Sequence, residues 1–142
     1  MKIVFDIETD GLDPTVVWVV VTSNVDTGDT RTFFDEDKFK DYLSQADEVI
    51  GHNIIGYDIP ALEKLWGVDF SQLKITDTLV MSRLANPSNQ GGHSLENWGT
   101  TLGFPKGDFH EWEQLSDEMI TYCKQDVNIN VMVYNKLIED LS

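Results

Sequence analysis

The stretch Lys2-Ile3-Val4-Phe5-Asp6-Ile7-Glu8-Thr9 alternates residue by residue. Successive side chains of a strand point to opposite faces, so Ile3, Phe5 and Ile7 share one face and Val4, Asp6 and Glu8 the other. Asp10-Gly11 then supplies a turn. The chain therefore begins with a strand that carries acid on one face. Residues 16–22 are continuous and rich in β-branched side chains, as a buried central strand is, and Asp26-Thr27-Gly28-Asp29 is a hairpin-type turn into a third strand at 30–34. Three strands thus open the protein as a meander.

Further along, Asp35 or Asp37 caps a helix running to about residue 45, and 48–51 reads as a short strand. Pro60, at a first-turn position, starts a helix that ends near Gly67. Residues 73–76 form a fifth strand, 77–84 a helix, 86–92 a polar loop, and Ser94 caps a helix to 102. A long helix from Ser116 through 119–141 closes the chain, with the apolar stripe Ile120, Cys123, Val127, Val131, Tyr134, Ile138 and Leu141. The order βββαβαβα predicts an α/β fold, a mixed sheet between helices whose site lies at strand ends.

A chain of 142 residues is the size of one average domain, expected to span residues 1–142 as a single unit. Its 41% hydrophobic content is enough for a core, which excludes a disordered chain. Twenty-five acidic residues against ten basic ones give a net charge of −15, which rules out wrapping duplex DNA through a broad basic surface. Nucleic-acid contact must then be local or assisted by metal. The one cysteine, Cys123, excludes an intramolecular disulfide and a cysteine-based zinc site. The carboxylate at Asp6 comes too early for a signal-peptide core, and the longest apolar run, 16–21, is far short of a membrane span. These features predict a soluble cytoplasmic protein with no membrane partner.

Three segments carry chemistry. Asp6 and Glu8, two apart on a strand, project from one face and can approach a single cation; hard oxygen donors of this kind suit magnesium or manganese. Taken alone, Asp-Ile-Glu reads equally as a strand reaching the surface. Gly51-His52-Asn53-Ile54-Ile55-Gly56-Tyr57-Asp58 collects donors between a short strand and a helix, a setting able to hold a terminal nucleotide while Asp58 adds a third carboxylate. Alone, Asp58 is first of all a helix cap with Pro60 behind it. Tyr122-Cys123-Lys124-Gln125-Asp126 puts the Tyr122 hydroxyl and the Asp126 carboxylate on one helix face, a spacing that by itself describes a core-edge pair.

Read in chain order, Phe5-Asp6-Ile7-Glu8-Thr9, Asn53 with Tyr57-Asp58, and Tyr122-x-x-x-Asp126 resemble the three-motif signature of the DEDD exonuclease superfamily, in the subgroup with tyrosine in its last motif. The chain looks most like the proofreading exonuclease domain of phage-type family A DNA polymerases. The likeness extends to Gly51-His52-Asn53, Asp77-Thr78-Leu79-Val80, Ser82-Arg83-Leu84, His93-Ser94-Leu95-Glu96 and Trp98-Gly99, and so covers nearly the whole sequence. It implies a ribonuclease H-like fold and hydrolysis of nucleotides from the 3′ end of single-stranded or frayed DNA by two divalent ions, Mg2+ or Mn2+. By similarity, Asp6, Glu8 and Asp126 bind the ion that activates water, Asp6 bridges to the second ion, and Asp58 holds that ion directly or through water. Tyr122 orients the attacking water, since a phenol with a pKa of about 10 is a poor base at neutral pH.

Thr9, His52 and Asn53 are the expected substrate contacts. Lys74, Arg83, Lys106 and Lys124 are the cations available to line an entry path, and Leu12 and Phe109 are placed either to pack or to meet terminal bases. With no polymerase following Ser142, the chain reads as a free-standing nuclease, a polymerase subunit or an excised proofreading domain, in the host cytoplasm if phage-encoded. Short connections at 86–92 and 106–113 shape the cleft. Two other readings stand beside this one. An exoribonuclease would share the acids and the tyrosine and differ in recognition of the 2′-hydroxyl. A non-cleaving module binding nucleic acid or a partner protein would be marked by loss of one or more acids, and here all four are present.

Overall fold

β1 (Lys2–Thr9) lies in the middle of a five-stranded mixed sheet, and its two faces are used as the alternation demands. The structure, a computed structural model, describes residues 1–88, 91–104 and 109–141. The strands β2 (Val17–Asn24), β3 (Thr30–Phe33), β4 (Glu48–Gly51) and β5 (Lys74–Asp77) are arranged β3-β2-β1-β4-β5. The first three form the antiparallel meander, whereas β4 and β5 run parallel to β1. Parallel strands need crossovers, and helices α1 (Glu36–Leu43) and α2 (Ile59–Trp66) provide them. Ligand sites form beyond the carboxyl ends of such strands, here the ends of β1, β4 and β5.

Ile3, Phe5 and Ile7 join Val20, Val49, Phe39, Leu62 and Trp66 in the core beneath α1 and α2, with the Phe5 ring stacked on Phe70 at 6.1 Å. On the other face Val4, Val19, Val21 and Ile50 meet Cys123, Val127 and Tyr134 of α5 (Asp117–Leu141). Helices α3 (Thr78–Ala85) and α4 (Leu95–Leu102) cover the far flank of α5 through Trp98, Ile129, Val133 and Leu137. The helix starts follow the capping chemistry. Asp35, not Asp37, accepts the Lys38 N–H at 2.9 Å, and Ser94 accepts that of Asn97 at 3.1 Å.

The closing helix departs from its expected stripe in its last turns. Ile138 and Leu141 are 47% and 48% exposed, and Met119, Ile129, Val133 and Leu137 are buried in addition to Cys123, Val127 and Tyr134. α5 has two apolar flanks in place of the single expected stripe, one on the sheet and one on α3 and α4; beyond Leu137 that stripe no longer lies on either. Lys106 and parts of the connections at 86–92 and 106–113 lie outside the described residues. Among the described residues, no helix is long and apolar enough to cross a membrane.

Candidate active site

At the end of β1 the pairing slips between Glu8 and Thr9, a bulge that re-aims the last side chains of the strand. Asp6 is half-buried and Glu8 is 6% exposed, both on the face that α5 covers. The helix brings Cys123 under them. Its thiol donates to the Asp6 carbonyl at 3.5 Å and stands 3.7 Å from Asp6 Oδ2, and ligand atoms of Asp6, Glu8 and Cys123 all lie within 4.8 Å of one another. Three residues further along α5, Asp126 is buried on the same side. Burial, followed by the charges of Asp6, Glu8, Asp126 and Asp58, pushes the Cys123 thiol well above its ordinary range.

Asp58 arrives by a local device that the hydrophobic pattern does not reveal. After β4 the chain makes a π-helical turn, Ile54–Asp58, entered through Asn53 at φ 61°, a left-handed conformation that asparagine tolerates better than most residues. The turn is held from outside. Asp77, the last residue of β5 and the N-cap of α3, is buried and accepts the N–H of Asn53 at 2.8 Å, of Ile55 at 3.1 Å and of Leu79 at 2.9 Å. The Asp58 carboxylate thereby reaches the backbone N–H of Ile7 on β1. It is 4% exposed and its Oδ2 has no hydrogen-bond partner. Burial pushes Asp58 well above the usual carboxylate range, against the Ile7 N–H and reinforced by the charges of Asp77 and Asp126. A buried carboxylate oxygen left without a donor, with the charges of Asp77 and Asp126 acting on it, fits a cation of the hard type.

The Asp77 clamp is testable on its own. Asp77→Asn keeps the shape but turns one acceptor into a donor facing backbone N–H groups, so the turn should lose its support. We expect a stability loss of about 1–3 kcal/mol by denaturant titration, with hydrogen exchange at Asn53 and Ile55 rising above that of the β1 amides. Unchanged protection at those two amides would refute the clamp.

Beside the acids opens a cavity of about 330 Å³ lined by Ile7, Glu8, Thr9, Gly11, Leu12, Tyr57 and Trp112. Thr9 Oγ1 donates to the Gly11 carbonyl at 3.0 Å and stands 2.5 Å from the Tyr57 hydroxyl, which itself donates to Gly11 O at 2.7 Å. Asp10 ties the following loop by accepting from the Thr15 hydroxyl, from Thr15 N–H at 2.8 Å and from Val16 N–H at 3.2 Å; the bonds from Thr15 hold its carboxyl down to about 2. Leu12 is 96% exposed at the cavity mouth, whereas Phe109 is buried and packs edge-on against Trp112 at 4.8 Å and at a tilt against Tyr122 at 5.7 Å. Trp112 is anchored in turn, its carbonyl accepting the Trp18 indole N–H at 2.9 Å.

Asp6, Glu8, Asp58 and Asp126 therefore converge, Tyr122 sits on the same helix beside the Trp112 wall, and Thr9 lines the cavity. The other two expected substrate contacts are placed differently. His52 is half-buried with both ring nitrogens engaged by the protein, Nδ1 with Thr78 Oγ1 at 2.8 Å and Nε2 with the His93 carbonyl at 2.6 Å. Asn53 is exposed and takes part through its backbone. Of the cations, Lys74 stands 3.9 Å from Glu48, and Arg83 and Lys124 are exposed. The sequence reading gave no role in the site to Asp77, Tyr57 or Trp112, although Tyr57 stood in the second motif and Asp77 in a segment that shared the likeness.

The RNase_H superfamily matches this chain over residues 3–108. The DNA-directed DNA polymerase of Escherichia phage T7 is 28% identical over 133 residues, an alignment covering 65% of this chain and 19% of the polymerase, so the chain spans about a fifth of that relative. Brucella melitensis NrnC bound to pGG superimposes with a TM-score of 0.77 at 21% identity, covering 99% of this chain and 72% of that one. Phi29 DNA polymerase complexed with primer-template DNA and incoming nucleotide substrates superimposes at 0.62 with 16% identity, covering 97% of this chain and 30% of the polymerase.

Proposed function

The chain belongs to the RNase H superfamily, and from that premise we propose that it is a divalent-metal-dependent exonuclease removing nucleotides one at a time from the 3′ end of single-stranded or frayed DNA. The observation that carries the reading is the convergence of four acids from three distant segments, one of them the buried Asp58 with an oxygen no protein donor reaches. Asp6, Glu8, Asp58 and Asp126 would hold the ions, and Mg2+ or Mn2+ suits an all-oxygen set. When bound, divalent ions supply an activated water, charge compensation on the phosphate and stabilisation of the departing 3′ oxygen.

The chain's own residues do the rest by positioning. The cavity beside Glu8, with Trp112 as an aromatic wall and Leu12 at its mouth, is suited to an unpaired terminal nucleotide, and stacking accepts any base because every base has a π-face. The Thr9–Tyr57–Gly11 bonds fix the floor against which that nucleotide rests. Tyr122 orients the attacking water through its hydroxyl. A net charge of −15 opposes DNA, so affinity is modest and depends steeply on divalent ion. A polymerase subunit or domain is the partner this reading favours, given the likeness to the phage enzyme.

The reading is tested with 5′-labelled single-stranded DNA and RNA oligonucleotides of one sequence, in magnesium, manganese and chelator. A metal-dependent ladder descending from the DNA 3′ end is expected. A ladder on RNA alone would move the assignment to an exoribonuclease, and no cleavage with either ion would leave a binding module. In the same assay Tyr122→Phe should lower the turnover rate by about tenfold to a hundredfold with KM nearly unchanged, since it removes the orienting hydroxyl and keeps the ring against Phe109 and Trp112. A loss confined to KM would contradict an orienting role.

A further inference from the structure

Cys123 plays no part in the proposed hydrolysis, yet its sulfur lies inside the acid cluster. We propose that Asp6, Glu8 and Cys123 form a binding site for a thiophilic divalent cation of the zinc and cadmium class, and that such an ion silences the hard-metal nuclease by occupying its carboxylates. Only the silencing rests on the nuclease reading; the binding stands on the side chains themselves.

Three observations carry it. Ligand atoms of the three residues lie within 4.8 Å of one another, close enough to share one ion. The Cys123 Sγ to Asp6 Oδ2 distance is 3.7 Å, while sulfur and oxygen ligands of a tetrahedral zinc, at about 2.3 and 2.1 Å from the metal, stand about 3.6 Å apart. The third observation is independent of the cysteine. Asp58, 4% exposed, has its Oδ2 without a partner, and its carboxylate accepts the backbone N–H of Ile7, which sets an unsatisfied anionic oxygen beside the strand that carries Asp6 and Glu8.

The chemistry separates the two classes of metal. Magnesium prefers six oxygens and gains nothing from sulfur, so with it Cys123 remains a protonated thiol donating to the Asp6 carbonyl. A thiophilic ion forms a metal–sulfur bond as the S–H bond breaks, and the proton leaves to solvent. The carboxylates are then drawn into a four-coordinate set and are lost to the octahedral one. Cys123 itself is fully buried, so an ion reaches its sulfur only past neighbouring side chains, with Asp6 half-exposed beside it.

Since Cys123 is the only cysteine in the chain, any sulfur-to-metal charge-transfer band must come from it. The test is titration of the intact protein with CdCl2, read by ultraviolet difference absorbance, for the parent, Cys123→Ser and Asp6→Asn. A band saturating at one cadmium per chain in the parent, absent in Cys123→Ser and weakened by about tenfold to a hundredfold in affinity in Asp6→Asn, is expected. No band in the parent, or a band of equal affinity in Asp6→Asn, overturns the site. In parallel, zinc added to the magnesium-supported cleavage reaction should inhibit the parent at about tenfold to a hundredfold lower concentration than Cys123→Ser. Equal zinc inhibition of the two overturns the silencing. Should the parent cleave nothing in magnesium or manganese, the nuclease reading fails, while the cadmium band still decides the binding site.

Discussion

Asp6→Asn is expected to abolish metal-dependent cleavage, lowering the single-turnover rate by about a thousandfold or more while leaving the fold intact. Asp6 alternates with Phe5 and Ile7 on the central strand, so its backbone is fixed by pairing with Val21 of β2 and by a core the substitution does not touch. Asparagine matches it in shape and removes one charge. The loss falls on ion binding, and with the ion go several kcal/mol of transition-state stabilisation at about 1.4 kcal/mol per factor of ten. Asp126→Asn should do the same from the other end of the sequence. Thermal melting of both variants without metal should stay near that of the parent. A variant that retains cleavage within tenfold of the parent would remove Asp6 from the chemistry.

The second large effect runs in opposite directions for stability and activity. Asp58→Asn should stabilise the metal-free chain at neutral pH by about 1–3 kcal/mol, because the parent must hold a buried carboxylate with an unsatisfied oxygen, yet it should depress cleavage strongly. The pH dependence follows from the direction of the shift. Asp58 has its folded pKa raised, so its contribution to stability is fully present below the ordinary carboxylate value and is lost as pH rises towards the folded value. Denaturant midpoints of the metal-free parent should therefore decline from about pH 4 upward relative to those of Asp58→Asn. Curves that stay parallel across that range would show that Asp58 carries no burial penalty.

The sequence made the frame visible because the frame is periodic. Ile3, Phe5 and Ile7 against Val4, Asp6 and Glu8 could be separated by alternation alone, and Asp35, Pro60 and Ser94 mark helix starts by chemistry confined to one turn. The four acids and Tyr122 stood out as a set only through the resemblance to the three-motif exonuclease signature; each motif alone had an ordinary structural reading. What escaped was non-local. Asp77 serves Asn53 and Ile55 across 24 and 22 residues, and nothing in the strand that carries it announces those partners. His52 offered donors in a suitable place, and Thr78 and His93 engage them. The π-helical turn has no apolar period, and the last turns of α5 look amphipathic although Ile138 and Leu141 remain half-exposed.

The acid cluster closes between the first strand and the last helix: Asp6 and Cys123 meet across 117 positions. A ribosome emits the chain in order, so a nascent chain lacking α5 holds Asp6, Glu8 and Asp58 but not Asp126 or Tyr122. On the proposed reading, such a chain would be chemically inert toward the nucleic acid around it. Competence would then arrive in one late step, when the helix docks, and partial translation products or chains cut ahead of Asp117 would be born disarmed.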